Sequence, residues 1–285
     1  MTDQIPTSPL IADAERFRKA LLAKDLAVQK RLITTYETIY SGLQDKITLL
    51  TDEIAKRGAM SRGEAVRLAR YKNLMTAVEQ EMTGYSVYLK TELSTAARVA
   101  LEQGVRDAKY ISASAVVADG GTLTASQLRT LNPQVIEQLL GFLSPEGELY
   151  KRIDQLPKWT GEQVSESILD GVALGKNPNT IARGITQALG GSLTDAMRMV
   201  RTSQLWAYRE ASRATYAANS DVITGWIWHS ALDGRTCPAC VAMHGTFHKV
   251  NEPLNGHYNC RCAPVPVTIL NPSPDIQTGE DWLKS

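Results

Sequence analysis

Residues 237–262 read CPACVAMHGTFHKVNEPLNGHYNCRC and hold all four cysteines of the chain together with three of its four histidines. Cys237 and Cys240 stand at the C-x-x-C spacing that brings two thiolates together from one tight turn, and Pro238 stiffens that turn. Cys260 and Cys262 are two apart, so on an extended segment both side chains point to the same side. Four sulfurs so placed can meet in one tetrahedron. His257 is an alternative ligand, because H-x-x-C also joins a nitrogen and a sulfur from one turn; either Cys260 or Cys262 is then left free. Zinc suits both sets, since it accepts four N/S ligands with no redox demand. A closed four-ligand site leaves no position for water, so the metal expected here is structural. The same spacing also allows two disulfides pinning the C-x-x-C turn to the C-x-C strand, and metal and sulfur bonding both stay open at this level. His229, His244 and His248 read as surface or packing residues, since a histidine needs a partner to count as a ligand.

No catalytic residue is expected. The histidines and asparagines of HGTFHKVNEPLNGHYNC are similar to a zinc-finger-like nuclease loop. That chemistry needs a following helix, and APVPVTILNPSP is too rich in proline to open one. The rest of the composition narrows the class. At 285 residues the chain can bury a core without staples, so the cysteine cluster serves something local. Lys and Arg number 31 against 30 Asp and Glu, and a net charge of +1 argues against polyanion binding driven by overall charge. The N-terminus lacks a basic start followed by an apolar run, and no window approaches the roughly 20 apolar residues of a membrane span. The expectation is a soluble, unsecreted protein with no membrane partner. In a reducing compartment its thiols suit metal ligation or the free state.

The elements that must carry this window are mainly helical. Residues 11–57 read as one helix with two heptad series, Leu26, Ile33, Tyr40, Ile47 and Ile54, and Leu22, Tyr36, Leu43 and Leu50. After RGAMSRGEA, Ser61 and Glu64 form a capping-box pattern opening a second helix. Its series are Leu68, Met75, Met82, Leu89 and Ala96, and Tyr71, Val78, Tyr85 and Val99. Two seams of matching length predict an antiparallel, coiled-coil-like hairpin, its seams packed on each other or on a partner helix from outside the chain. From Tyr110 the pattern loosens, and SASAVVADGGTLTASQ reads as a loop. Short helices are expected over 133–142, 146–156 and 160–174, punctuated by Pro133, Pro145, Pro157 and Pro178. Two more are expected over 177–189 and 192–219, separated by Gly190 and Gly191, with Ser192 and Asp195 as a capping pair. GWIWHSAL then reads as a strand with Trp226 and Trp228 on one face.

The fold class is therefore mainly α with a small C-terminal β-containing Cys-rich subdomain (α+β) and a long N-terminal antiparallel helical hairpin. The expected organisation is a hairpin over 1–112, a linker with short helices over 113–159, a Cys-cluster domain over 160–270 and a tail over 271–285. On the helix after Ser192, Arg198, Arg201, Arg209 and Arg213 fall within an arc of roughly 120°. This stripe is either a solvated face balanced by Asp195 and Glu210 or a surface for nucleic acid or a protein partner.

The run WIWHSALDGRTCPAC, then Gly245, then GHYNCRCAPVPV, resembles the C-terminal motif of the Mu F-like head morphogenesis family of tailed-phage minor head proteins. Upstream, ILDGVALGKNPNTIARGI is similar to the family's helical entry and RTSQLWAYREASRATY to its Arg-Thr helix, so the likeness covers about 160–267. Ser203 stands where the family usually has a glutamate. The resemblance implies a structural virion protein at the portal vertex or capsid interior, acting in procapsid assembly and in genome packaging or ejection. Its implied partners are the portal protein and capsid or scaffold subunits, with phage DNA as a further one. Some relatives carry appended enzyme domains; with about twenty residues after the motif, none is expected here. The alternative function is DNA binding or processing through the arginine stripe.

Overall fold

The computed structural model describes residues 9–141, 147–272 and 276–284. The tail proline Pro6 and the expected helix-end positions Phe142, Pro145 and Glu146 lie outside the described residues. The long helices are α1 (Pro9–Arg57), α3 (Ala69–Ala118), α5 (Glu148–Ala173) and α6 (Pro178–Ala218), with short α2 (Arg62–Ala65) and α4 (Pro133–Gly141) between them. Strands β1 (Ile223–His229), β2 (Phe247–Lys249) and β3 (Ala263–Thr268) follow, with α7 (Pro238–Met243) after β1 and α8 (Gly279–Lys284) after β3. This is the expected class: long helices, then a small antiparallel sheet beside the cysteines.

Two compact units divide the chain, one built from Ala27–Ser94 and Ser144–Val200, the other from Met1–Leu26, Thr95–Leu143 and Arg201–Ser285. In the first, α1 and α3 run antiparallel. Arg31 pairs with Glu92 at 2.7 Å, the Tyr36 and Tyr85 rings meet edge to face at 5.2 Å, and Arg70 donates to the Leu49 carbonyl at 2.7 Å. The seam expectation holds at Tyr36, Leu43, Ile47, Leu50 and Ile54, all buried. It fails further up α1, where Leu21, Val28, Leu32 and Ile39 are buried while Leu26 stays 56% exposed. A helix of 3.6 residues per turn drifts about 20° per heptad against a strict seven-residue repeat, so the buried stripe slides between the two series.

Four boundaries differ from expectation. The Ser61–Glu64 capping box forms, but it caps the four-residue α2 rather than the long helix. The small-residue run after Tyr110 is helix as far as Ala118, with Ile111, Ser112, Ala113, Ala115 and Val116 buried, because small side chains permit close packing. That helix ends where Gly120 takes φ +85 and Gly121 donates to the Val116 carbonyl, a left-handed glycine stop. Pro157 lies inside α5 instead of between two helices. Gly190 and Gly191 likewise sit within α6: Ser192 is buried and bonded to Thr160 at 2.6 Å instead of capping, and Asp195 pairs with Arg198. Tertiary contacts here override local breakers worth about 1 kcal/mol per glycine.

In the second unit α3 and α6 approach closely at Gly104, where a Cβ would stand 2.5 Å from the Tyr208 carbonyl oxygen and 3.0 Å from the Ala211 Cβ. Gly104→Ala is expected to destabilise by about 1–3 kcal/mol, the backbone clash exceeding the helix-propensity gain. Gly84→Ala is the control, since nothing lies within 4 Å of its added carbon. Urea melts of the two variants should move in opposite directions.

The sheet order is β2-β1-β3, with Ile227 opposite Phe247 on one side and Val265 on the other. Trp226 and Trp228 are both buried, as their spacing required, and His248 stacks on Trp226 at 4.2 Å. Pro264 and Pro266 face Trp228 and Trp226, and the Pro264 carbonyl turns away from β1 to accept from Tyr216 of α6 at 3.2 Å. Prolines at positions whose N–H would point off the sheet block further pairing at that edge. The core under the sheet includes Tyr216, Ile223, Trp226, Trp228, Leu254, Cys240, Cys260 and Cys262.

Candidate metal centre

Cys237 caps the N-terminus of α7: its sulfur accepts from the Cys240 backbone N–H at 3.4 Å, and Pro238 occupies the first turn. This is the expected knuckle, with both sulfurs on one side of the turn. The second half is shaped by Asn259, held at φ +61, a conformation asparagine tolerates better than most residues. Its N–H donates to Thr202 Oγ1 of α6 at 3.2 Å, and the Cys260 N–H donates to the His257 carbonyl at 3.1 Å. The loop therefore turns His257 and Cys260 toward the knuckle.

The structure brings all five expected ligands together, as two triads sharing Cys240. Cys237, Cys240 and His257 form one, Cys240, Cys260 and Cys262 the other, with donor atoms in each within 4.8 Å. His257 Nε2 lies 3.2 Å from Cys237 Sγ and 3.3 Å from Cys240 Sγ, and Cys240 and Cys260 sulfurs are 3.8 Å apart. Tetrahedral zinc with Zn–S bonds of about 2.3 Å separates neighbouring sulfurs by about 3.8 Å, so this spacing fits two ligands on one ion. All four cysteines are free thiols.

The tautomer of His257 follows from its neighbours. Its Nδ1 lies 2.6 Å from the Tyr258 carbonyl, which can only accept, so Nδ1 carries the proton, and in the neutral ring it is Nε2 that offers a lone pair toward the two sulfurs. A backbone carbonyl on the far ring nitrogen is the usual support of a metal-ligating histidine. The thiols are not equivalent. The hydrogen bond from Cys262, followed by other groups including Arg209, holds Cys260 down to about 5, whereas burial pushes Cys240 up to about 12. The bond to Cys260, and then burial, push Cys262 well above the ordinary thiol value, and its sulfur lies 3.3 Å from Ser230 Oγ.

Around the sulfurs, Arg261 clamps Asp233 through two bonds of 2.6 Å, tying the C-R-C segment to the turn before the knuckle. That clamp holds the Asp233 carboxyl far below the usual carboxylate range. Asp233 also accepts from the Arg235 N–H and the Thr236 hydroxyl. These partners were not singled out from sequence, though an Asp three residues before a Thr is an Asx-turn signal that points to them.

The remaining histidines pack: His229 and His244 are buried and His248 is partly so. His244 Nδ1 accepts from the Ser230 N–H at 2.9 Å, and His248 lies between Trp226 and Glu252. His229 is buried with neither ring nitrogen bonded among the described residues. Burial, with Arg18 and His244 adding repulsion, pushes its pKa down to about 3. The folded state thus refuses a proton that the unfolded chain accepts below about 6.5. Stability from this site is complete above that pH and is lost as pH falls toward the folded value, at about 1.4 kcal/mol per unit. His229→Phe should flatten the fall in urea midpoint between pH 6 and 4 relative to the parent; an unchanged slope would contradict this.

The arginine stripe needs correction. Arg209 is 2% exposed, and Arg213 is largely enclosed, donating to the Val250 and Glu252 carbonyls and pairing with Glu210 at 2.9 Å. Arg201 pairs with buried Asp25 at 2.7 Å, and only Arg198 stands well out, beside Asp195. The same-arc geometry is real, but the arc faces protein over its second half. Ser203 is buried, and its hydroxyl has no partner among the described residues.

Residues 162–265 match the family model described as Phage Mu protein F like protein. That span, a little over a third of the chain, holds the Arg-Thr helix, the Trp strand and all five candidate ligands, and it coincides with the stretch whose motifs resemble that family. No curated protein and no solved structure matches the chain. No helix among the described residues is long and apolar enough to cross a membrane.

Proposed function

We propose that this chain, Mu F-like over residues 162–265, is a structural minor head protein that acts at the portal vertex during procapsid assembly and has no catalytic role of its own. The observation that carries the reading is the coincidence of the family span with a built thiol–imidazole cluster packed against a very small sheet. Three short strands, one of only three residues, make little stable structure alone and need a brace.

In this reading the brace is one divalent metal, with zinc the best chemical fit. Cys237, Cys240 and His257 would hold it with Cys260 as fourth ligand, and His257 takes the place first expected for Cys262. Two observations favour that set. His257 Nε2 lies 3.2 Å and 3.3 Å from two sulfurs, and Cys262 Sγ lies 3.3 Å from Ser230 Oγ, which gives it a hydrogen-bonding partner outside the ligand set. A bound ion would cross-link α7 to the 257–262 loop, which Thr202 and Arg209 already attach to α6. The metal supplies folding energy and no reaction step.

The DNA-binding alternative loses its basis in the stripe, because Arg209 and Arg213 are enclosed and Arg201 is engaged with Asp25. Co-expression with a phage portal protein, followed by size exclusion, tests the assembly role. Co-elution is expected, and separate elution across a range of salt concentrations would sink the portal assignment.

A further inference from the structure

Arg209 is the anomaly of the site. Its guanidinium is enclosed at 2% exposure, Nη1 donates to the Cys260 carbonyl at 3.4 Å, and Nε has no acceptor among the described residues. Gly256 backs directly onto it, so that a Cβ there would collide with Nη1. The other three arginines of its helix face each have a carboxylate: Asp195 for Arg198, Asp25 for Arg201 and Glu210 for Arg213. Arg209 pairs with no carboxylate among the described residues. A guanidinium stays protonated even when buried, and an uncompensated buried charge is strongly unfavourable.

Cys260, whose carbonyl it already holds, carries a thiol that can become anionic and that feels the Arg209 charge. Coordination takes the proton from each ligand thiol and releases it to solvent. Three thiolates and one neutral imidazole around a divalent ion leave one net negative charge, which one guanidinium balances. We infer that Arg209 is the buried counter-charge of an anionic metal–thiolate centre, a positioning residue that selects for a divalent, thiophilic cation by neutralising the complex it forms.

This rests on the metal reading above, and the test separates the two. The full chain, reduced and metal-free, is titrated with zinc against a chromophoric chelator, and separately with cobalt(II), whose thiolate charge-transfer band reports the ligands. Arg209→Met should weaken zinc binding by about 10- to 100-fold with the cobalt band retained, and Arg209→Lys should recover most of the loss. If Arg209→Met does not fold, Arg209→Gln removes the charge with less loss of polarity and carries the same expectation. An arginine that merely packs would lower the stability of metal-free and metal-bound protein alike and leave affinity unchanged; unchanged affinity in Met or Gln variants overturns the counter-charge role. Failure of the parent protein to bind zinc or cobalt would instead overturn the metal reading, and this inference with it.

Discussion

Cys240→Ser is expected to reduce bound metal from one equivalent to none and to cost on the order of 4 kcal/mol or more, the range reached when a structural metal is lost. Cys240 is the only ligand shared by both triads, and its buried sulfur sits 3.3 Å from His257 Nε2 and 3.8 Å from Cys260 Sγ. A serine hydroxyl is a poor zinc ligand and, when buried, demands a hydrogen bond that the sulfur did not. Apparent binding free energies of structural zinc run to about 10–16 kcal/mol, so one lost ligand removes a large share of what holds the small sheet. The effect should be local. Hydrogen exchange is expected to rise in β1 and β3, which flank the site, while α5, which contributes no ligand, keeps its protection. Cys262→Ser is the contrast: it should keep the metal, because Cys262 lies outside the favoured set. Full metal in the Cys240 variant, or loss of metal only in the Cys262 variant, would contradict the assignment.

Arg201→Ala is expected to cost about 3–5 kcal/mol, because it removes the cation that faces a buried carboxylate, Asp25. Asp25 is 2% exposed, and the Arg201 Nε bond to it measures 2.7 Å. The pair joins the start of α6's second half to the first stretch of α1 inside one unit, so the loss should appear as an early transition in urea. Replacing both partners, Arg201→Met with Asp25→Leu, should restore most of the stability, since two apolar groups demand no counter-charge. If Arg201 were instead a nucleic-acid contact, its removal would leave the melt unchanged and weaken DNA binding. That pair of results would revive the stripe as a surface.

Much of this site was legible in the residues themselves. C-x-x-C with a proline between, C-x-C on an extended run, and H-x-x-C each constrain side-chain direction over a few residues, so short-range geometry suffices to bring the donors together. The paired tryptophans followed from period two in the same way. The long helices of the first half were legible for a different reason: apolar repeats summed over many turns outweigh local exceptions such as Leu26.

What sequence patterns missed depends on contacts far along the chain. Pro157, Gly190 and Gly191 look like helix ends because each weakens helix locally, yet the packed faces of α5 and α6 carry the helices through them. The small residues after Tyr110 look like loop until their partners bury them. Arginine is the hardest case. Arg198 and Arg209 carry the same charge on one helix, but the loop over 254–260 closes on only one of them, at Gly256, and spacing on the helix cannot tell them apart. The same holds for the way each unit gathers separate stretches of chain, which no periodicity records.

Metal content measured by elemental analysis on protein purified under reducing conditions, with thiols titrated in parallel, tests the brace most directly. One equivalent of zinc per chain, with the thiols becoming fully reactive only after chelation, is the expected result. Protein that is folded with no stoichiometric metal, whether its four thiols titrate freely or are joined as disulfides, would contradict it.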